Sequence, residues 1–284
     1  MNACRPAAGA ENNKMPLVQS FPLPSRNRAA VLCAALLLAG CASSPMPQWR
    51  EPADPGYAPV RPVQAARTMT AVPAVAISTA PPTRAALIAA AKAEWDFFGN
   101  QQIDMRHDLF SAPRLGLLED EGEAVQRVGE YWHAVGKNLT GADCQQAWSA
   151  AFISWLMVSS NVAPQDFAPN ETHFNYLSFL RERESRPSPQ FVLRPAATEP
   201  IAPGDLICAP RGNNAATTLD EIRPGLAGHC DIVVEVHADE GWAGAIGGNV
   251  FNSVSESLIP VDEQGRAVQI AQRPWLAVVK NLLP

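Results

Sequence analysis

The side chains in this chain that could carry chemistry are few, and most lie in its second half. His229 stands between Gly228 and an apolar run, a poor setting for a surface histidine. An imidazole there can act as a base or a proton shuttle near neutral pH. Asn249 follows two glycines and reads either as a turn residue or as a polar group fixed in a site. Ser149, on an apolar helical string, reads either as a small residue at a helix contact or as an alcohol activated by a base. Cys144 follows Asp143, and a thiolate would be the stronger nucleophile, but an inert buried cysteine is the commoner state. Cys208 and Cys230 fall on adjacent expected strands, where they either pair or fill the core. His173 and Tyr176 lie one turn apart and either line a groove or pack locally. His107, His133 and His237 read as solvent-facing, and Asp205 as shaping a turn. The cysteine and histidine spacing fits no zinc pattern, and neither a metal nor an organic cofactor is expected.

Four helices and then a series of strands must position these groups. Thr83 is suited to cap a first helix whose stripe is Leu87, Ile88, Ala91, Trp95 and Phe98, with Gly99 as its stop. A second helix is expected over 121–135, with Ala124, Val128, Tyr131, Trp132 and Val135 inward. A third is expected over 143–160 and a fourth over 173–183. Strands are expected over 191–194, 205–209, 230–237, 241–246, 253–259, 266–270 and 276–280. Helices first and strands second predict an α+β domain with an antiparallel sheet packed on helices. The polar stretch 211–228, leading into His229, is expected to be a mobile flap over the cleft.

Four strings stand in order: WSAAFISW from Trp148, PGDLI from Pro203, GHCDIVVEV from Gly228 and IGGN from Ile246. Together they resemble the papain-like cell-wall hydrolases, the NlpC-type peptidases and CHAP amidases. GDLIC, GHCDIVV and IGGNV also resemble a bacterial family without assigned function, domain-of-unknown-function family 2272, over the region from about Thr83 onward. The resemblance implies a papain-like fold, a nucleophile at the head of a helix, a histidine opening a strand, and a polar residue on the next strand that orients it. Carried over, these roles fall on Ser149, His229 and Asn249. Ser149 stands where the hydrolases have cysteine. Counting along the helix supports this alignment: from Ser149, Phe152 and Ile153 fall at the apolar positions and Asn161 at the helix stop. The same count from Cys144 ends mid-helix at Leu156.

The N-terminal part carries a separate signal. Arg26 and Arg28 precede an apolar run over 29–40, too short to span a bilayer but ordered like a secretory signal. It ends Leu38-Ala39-Gly40-Cys41, which resembles the lipobox of bacterial lipoproteins, with Cys41 as the acylated residue and Met15 as the expected start. Ala42 and Ser43 after the cysteine point to the outer membrane, facing the periplasm. Residues 1–40 are therefore expected to be a signal peptide, 41–82 a Pro/Ala-rich tether and 83–284 the domain. Of the six cysteines, Cys144, Cys208 and Cys230 then remain beside the acylated Cys41, leaving room for at most one disulfide and one thiol. The formal net charge of -6 and the lack of a basic cluster argue against nucleic acid as a partner.

The expected function is a lipid-anchored hydrolase of amide bonds in peptidoglycan, with Ser149 as nucleophile, His229 as base and Asn249 as orienting residue. The expected partners are the membrane, through Cys41, and peptidoglycan peptides. A serine at the nucleophile position equally suits an inactive binding module on the same scaffold.

Overall fold

The computed structural model describes residues 80–107, 110–212 and 216–284. The expected signal peptide, Cys41 and nearly all of the tether lie outside the described residues. Among the described residues there are four α-helices, α1 (Arg84–Phe97), α2 (Ala124–Ala134), α3 (Ser149–Ser159) and α4 (His173–Arg183), and two short strands come between α1 and α2, ahead of the expected helices-first order. Eight strands form one sheet: β1 (Gln101–Asp104), β2 (Ser111–Arg114), β3 (Phe191–Pro195), β4 (Leu206–Pro210), β5 (Gly228–His237), β6 (Trp242–Val250), β7 (Ser253–Pro260) and β8 (Ala277–Asn281). The strand order is β2-β1-β7-β6-β5-β4-β8-β3. Among the described residues, only the β1–β7 pair is parallel. The fold is α+β, as the element order required.

Local chemistry accounts for the helix ends. The Thr83 hydroxyl accepts from the Ala86 N–H at 3.1 Å and so starts α1. Asn161, at φ +59°, ends α3, and the Val162 N–H returns to the Met157 carbonyl at 2.9 Å. The expected start of α3 at 143 is six residues too early. Asp143 instead ties off a turn, its carboxylate accepting from the Thr140 N–H at 2.8 Å. A side chain that bonds backbone this way competes with helix. The delay puts Ser149 in the first helical turn and leaves Cys144 in the turn ahead of it.

α3 is apolar all round, and Ser149 to Met157 are buried without a break. Such a helix belongs at the centre of a core. It packs with Leu87, Tyr131, Phe174, Cys230, Ile232 and Val254 against one face of the sheet. A second cluster on the other face gathers Ile207, Val233, Ala245, Ile259, Val278 and Trp275. β5 lies between them, buried on both faces over most of its length. Alternation along β5 sends His229, Asp231 and Val233 one way and Cys230, Ile232 and Val234 the other.

The expected strand at 266–270 does not form; only isolated bridges join Val261 to Ala267 and Ile270 to Arg273. The expected flap is tethered where it is described. Ala216 and Ile222 are buried in the core, and a capping box between Thr218 and Glu221 closes a short 3₁₀ turn at Leu219–Glu221. Among the described residues, no helix is long and apolar enough to cross a membrane.

Candidate functional site

The head of α3, the first turn of α4 and the start of β5 meet at Ser149. Its Oγ lies 2.8 Å from His229 Nδ1 and 2.9 Å from His173 Nε2. The other nitrogen of His229 lies 2.6 Å from Asp231 Oδ1, and Asp231 Oδ2 accepts from Arg273 Nη1 at 2.9 Å. His173 Nδ1 is bonded in turn to the Tyr176 hydroxyl. Ser149 keeps 5% of its surface, while His229, Asp231 and Tyr176 keep none.

One assignment of protons satisfies every atom of this chain. Burial alone would raise the Asp231 pKa, but His229 and Arg273 outweigh it and bring the carboxyl down to about 2. An ionised Asp231 only accepts, so His229 carries its proton on Nε2 and offers the Nδ1 lone pair. Burial pushes the His229 pKa down to about 4, against the pull of Asp231, so the ring is neutral at pH 7. The Ser149 hydroxyl then donates to His229 Nδ1 and accepts from His173 Nε2–H, and His173 Nδ1 accepts from Tyr176. His173 fits this as a neutral ring: burial first, and His229 second, hold its pKa well below the usual range. Burial, then Asp231, pushes the Tyr176 phenol well up, which keeps its proton in place.

Four of these groups lie on two short stretches of backbone, His173 and Tyr176 on α4 and His229 and Asp231 on β5. His229 and Asp231 are two residues apart on β5 and share a face. On the neighbouring strand β6, Gly247 leaves the space that Asp231 fills. A Cβ at position 247 would lie 1.7 Å from Asp231 Oδ1 and 3.1 Å from His229 Nε2. Gly248 lets α3 close onto the sheet, since a Cβ there would lie 2.5 Å from Phe152 Cβ.

Of the three expected site residues, the structure brings Ser149 and His229 together but not Asn249. Both ring nitrogens of His229 are taken, by Ser149 and Asp231, so Asn249 has no part of the imidazole left to orient. Its backbone is left-handed at φ +55°, near the end of β6, where the pairing with β7 is irregular. With its oxygen toward Trp148, its amide accepts from the Trp148 backbone N–H at 3.2 Å and from the indole N–H at 3.0 Å. Asn249 thus holds the residue before Ser149. Cys144 lies one turn outside the helix, its sulfur 3.7 and 3.4 Å from the Gly141 and Ala142 carbonyls. Cys208 and Cys230, opposite each other on β4 and β5, form a disulfide.

Sequence reasoning missed Asp231 and Arg273 and left His173 and Tyr176 as a local pair. Asp231 had a usable signal, its two-residue spacing from His229 within an apolar strand. No group of three or more His, Cys, Asp or Glu able to hold a metal occurs among the described residues.

A cleft of about 600 Å³ opens beside this network, with Arg211, Asn249 and Arg273 among its walls. Ser149 is not one of the residues lining it.

Comparison with known families agrees with the strings that carry these residues. Residues 119–281 match the family described as "Uncharacterized protein conserved in bacteria (DUF2272)". The match covers more than half of the chain, and the protein belongs to this family. No curated protein and no solved structure matches the chain.

Proposed function

We propose that this protein is a serine-dependent hydrolase of amide bonds, anchored by lipid in the cell envelope and acting on peptidoglycan peptides. The observation that carries the reading is the line of contacts from Ser149 Oγ to His229 Nδ1 and from His229 Nε2 to Asp231 Oδ1, at 2.8 and 2.6 Å. A serine needs a base during attack, and a base needs a fixed tautomer; the line supplies both. Ser149 attacks the carbonyl carbon while His229 Nδ1 takes its proton. Asp231 holds the Nε2–H and stabilises the imidazolium, and Arg273 holds Asp231. The C–N bond then breaks as His229 returns the proton to the leaving amine, and water cleaves the acyl-serine by the same route. The N–H groups of the first turn of α3 have no partners within the helix. They are backbone donors for the charge that develops on the substrate's carbonyl oxygen, while the His173 Nε2–H, 2.9 Å from the Ser149 oxygen, holds the nucleophile in place.

The nucleophile at a helix head and the histidine at the start of a strand support a papain-like arrangement. The departure is that the orienting carboxylate comes from the histidine's own strand. Peptidoglycan as substrate rests on the resemblance to cell-wall hydrolases and on the lipobox-like sequence at Cys41. The Cys208–Cys230 disulfide supports an oxidising compartment.

Incubating the protein with purified peptidoglycan should release fragments detectable by mass, and a fluorophosphonate probe should label it. Ser149→Ala should remove both. Turnover that survives this substitution would reject the nucleophile. For the anchor, Cys41→Ser should move the protein from the membrane to the soluble fraction; retention at the membrane would reject acylation there.

A second reading, an inactive module that binds peptides, is favoured by the burial of Ser149 between two imidazoles and its absence from the cleft wall. Peptide binding with neither turnover nor labelling would select it.

A further inference from the structure

We infer that the cleft lined by Arg273, the partner of Asp231, is a carboxylate-binding subsite, in which Arg211 and Arg273 take an anionic group of a peptide ligand. That the ligand is a peptide rests on the hydrolase reading above; that it carries a negative charge rests on the cleft alone.

The charge of the cleft is one-sided. Among the described residues, two guanidinium groups line it and no Asp or Glu does. Asp231 is the neighbouring acid, and it is already engaged by His229 and Arg273. Arg211 has no side-chain acceptor or ion-pair partner among the described residues. With both histidines neutral, two positive charges and one negative leave an excess of one positive charge among the described residues, in a protein of net charge -6. Such a spot attracts anions selectively against the field of the rest of the molecule.

The two arginines differ in setting. Arg273 is 6% exposed, stands over the Trp275 ring and is held by Asp231. Arg211 is open to solvent on one side. Enough protein crowds it that its pKa lies below the ordinary value, through burial first and Arg273 second. A carboxylate between them would relieve that repulsion. The planar fork of a guanidinium matches two carboxylate oxygens. The remaining walls suit the body of a peptide: Phe110 and the 59% exposed Phe251 are apolar, and Asn249 and Gln272 bring amides. The volume lies within the range of ligand pockets.

Arg273 also joins this cleft to the serine. It touches Asp231 on one side and the cleft on the other, so an anion seated there changes the charge felt by the base.

The test measures binding apart from turnover, in the full chain carrying Ser149→Ala. The probe is L-Ala-γ-D-Glu-meso-diaminopimelate, compared with the same peptide after amidation of its carboxyls. The acid should bind at least tenfold more tightly than the amide. Arg211→Gln should abolish that difference, and Arg211→Lys should restore part of it; the exposed position leaves the fold intact, checked by an unchanged melting temperature. Equal binding of acid and amide, no binding of either, or indifference to Arg211→Gln would overturn the subsite. Displacement by inorganic phosphate at the concentration of the peptide would overturn the assignment to carboxylate. Fluorophosphonate labelling of the unsubstituted protein reports separately on the hydrolase: labelling without carboxylate preference rejects the subsite alone, and carboxylate preference without labelling or turnover rejects the hydrolase alone.

Discussion

Ser149 has both hydrogen-bonding directions of its hydroxyl occupied by imidazoles, at 2.8 and 2.9 Å. A serine serving only to fill space between helices would need neither. The arrangement is costly to keep, because two neutral histidines, an ionised aspartate and a phenol are buried together. Each is tolerated only because the groups of this network are partnered to one another. The most sensitive point is a residue with no side chain. Gly247→Ala would put a methyl group into the Asp231 carboxylate, forcing Asp231 off His229 or the strands apart. The expected result is a loss of turnover of about 10²-fold or more, comparable to Asp231→Asn, where loss of a triad carboxylate costs up to about 10⁴. Kinetics on both variants, with circular dichroism to check the fold, test this. Full activity in Gly247→Ala would mean that Asp231 does not orient the base.

At the scale of elements, β5 carries the site on one face and a disulfide on the other. Cys230 precedes Asp231 and points away from it into the helical core, so the covalent link to β4 supports the strand without entering the chemistry. Closing a loop between cysteines 22 residues apart contributes about 3 kcal/mol in the chain-entropy account. For a domain of this size, that corresponds to about 6–12 °C in melting temperature. The double variant Cys208→Ala, Cys230→Ala should melt lower by about that amount and still accept a fluorophosphonate at 25 °C. Lost labelling in a folded variant would show that the disulfide shapes the site itself. The elements also show where sequence reasoning holds. α4 begins and ends where its pattern placed it, since His173 to Arg183 has no competing turn chemistry. α3 does not, because Asp143 bonds backbone ahead of it. β1 and β2 were missed: QQID and SAPR lack an apolar alternation, and β1 owes its place to β7, some 150 residues away in the chain. The site divides in the same way. Ser149 and His229 were reached by carrying the family resemblance onto the strings around them, and the structure places the two side chains in contact. The contact of His173 with Ser149 crosses from α4 to α3 and depends on packing that no local pattern encodes. Asp231 was overlooked in favour of Asn249, because the family resemblance directed attention to the next strand and away from the histidine's own.

For the molecule as a whole, the site makes stability depend on pH in a definite window. His229 titrates at about 4 in the folded protein and near 6.5 when unfolded. Between those values the unfolded chain binds the extra proton, so acidification favours unfolding and stability is lost as pH falls from about 6.5 toward 4. His173, also held low by burial, adds in the same direction. Asp231, lowered to about 2, extends the loss below pH 3.8. Glu94, Glu119 and Glu256 act against this. Burial raises each of them, so they favour the folded state as pH falls through their folded values toward 4.5. The net curve mixes both signs, and a single variant separates them. From pH 7.5 to 5, His229 alone accounts for about 2 kcal/mol, or about 4–8 °C for a domain of this size. His229→Gln removes that titration while leaving the three glutamates in place. Its melting temperature should therefore fall less than that of the unsubstituted protein over the same interval, by about that amount. If the two proteins lose stability in parallel, the ring at 229 takes up its proton near pH 6.5 in the folded state as it does when unfolded. Burial between Ser149 and Asp231 would then not hold the imidazole neutral, and below that pH the hydroxyl of Ser149 would face a donor instead of a base.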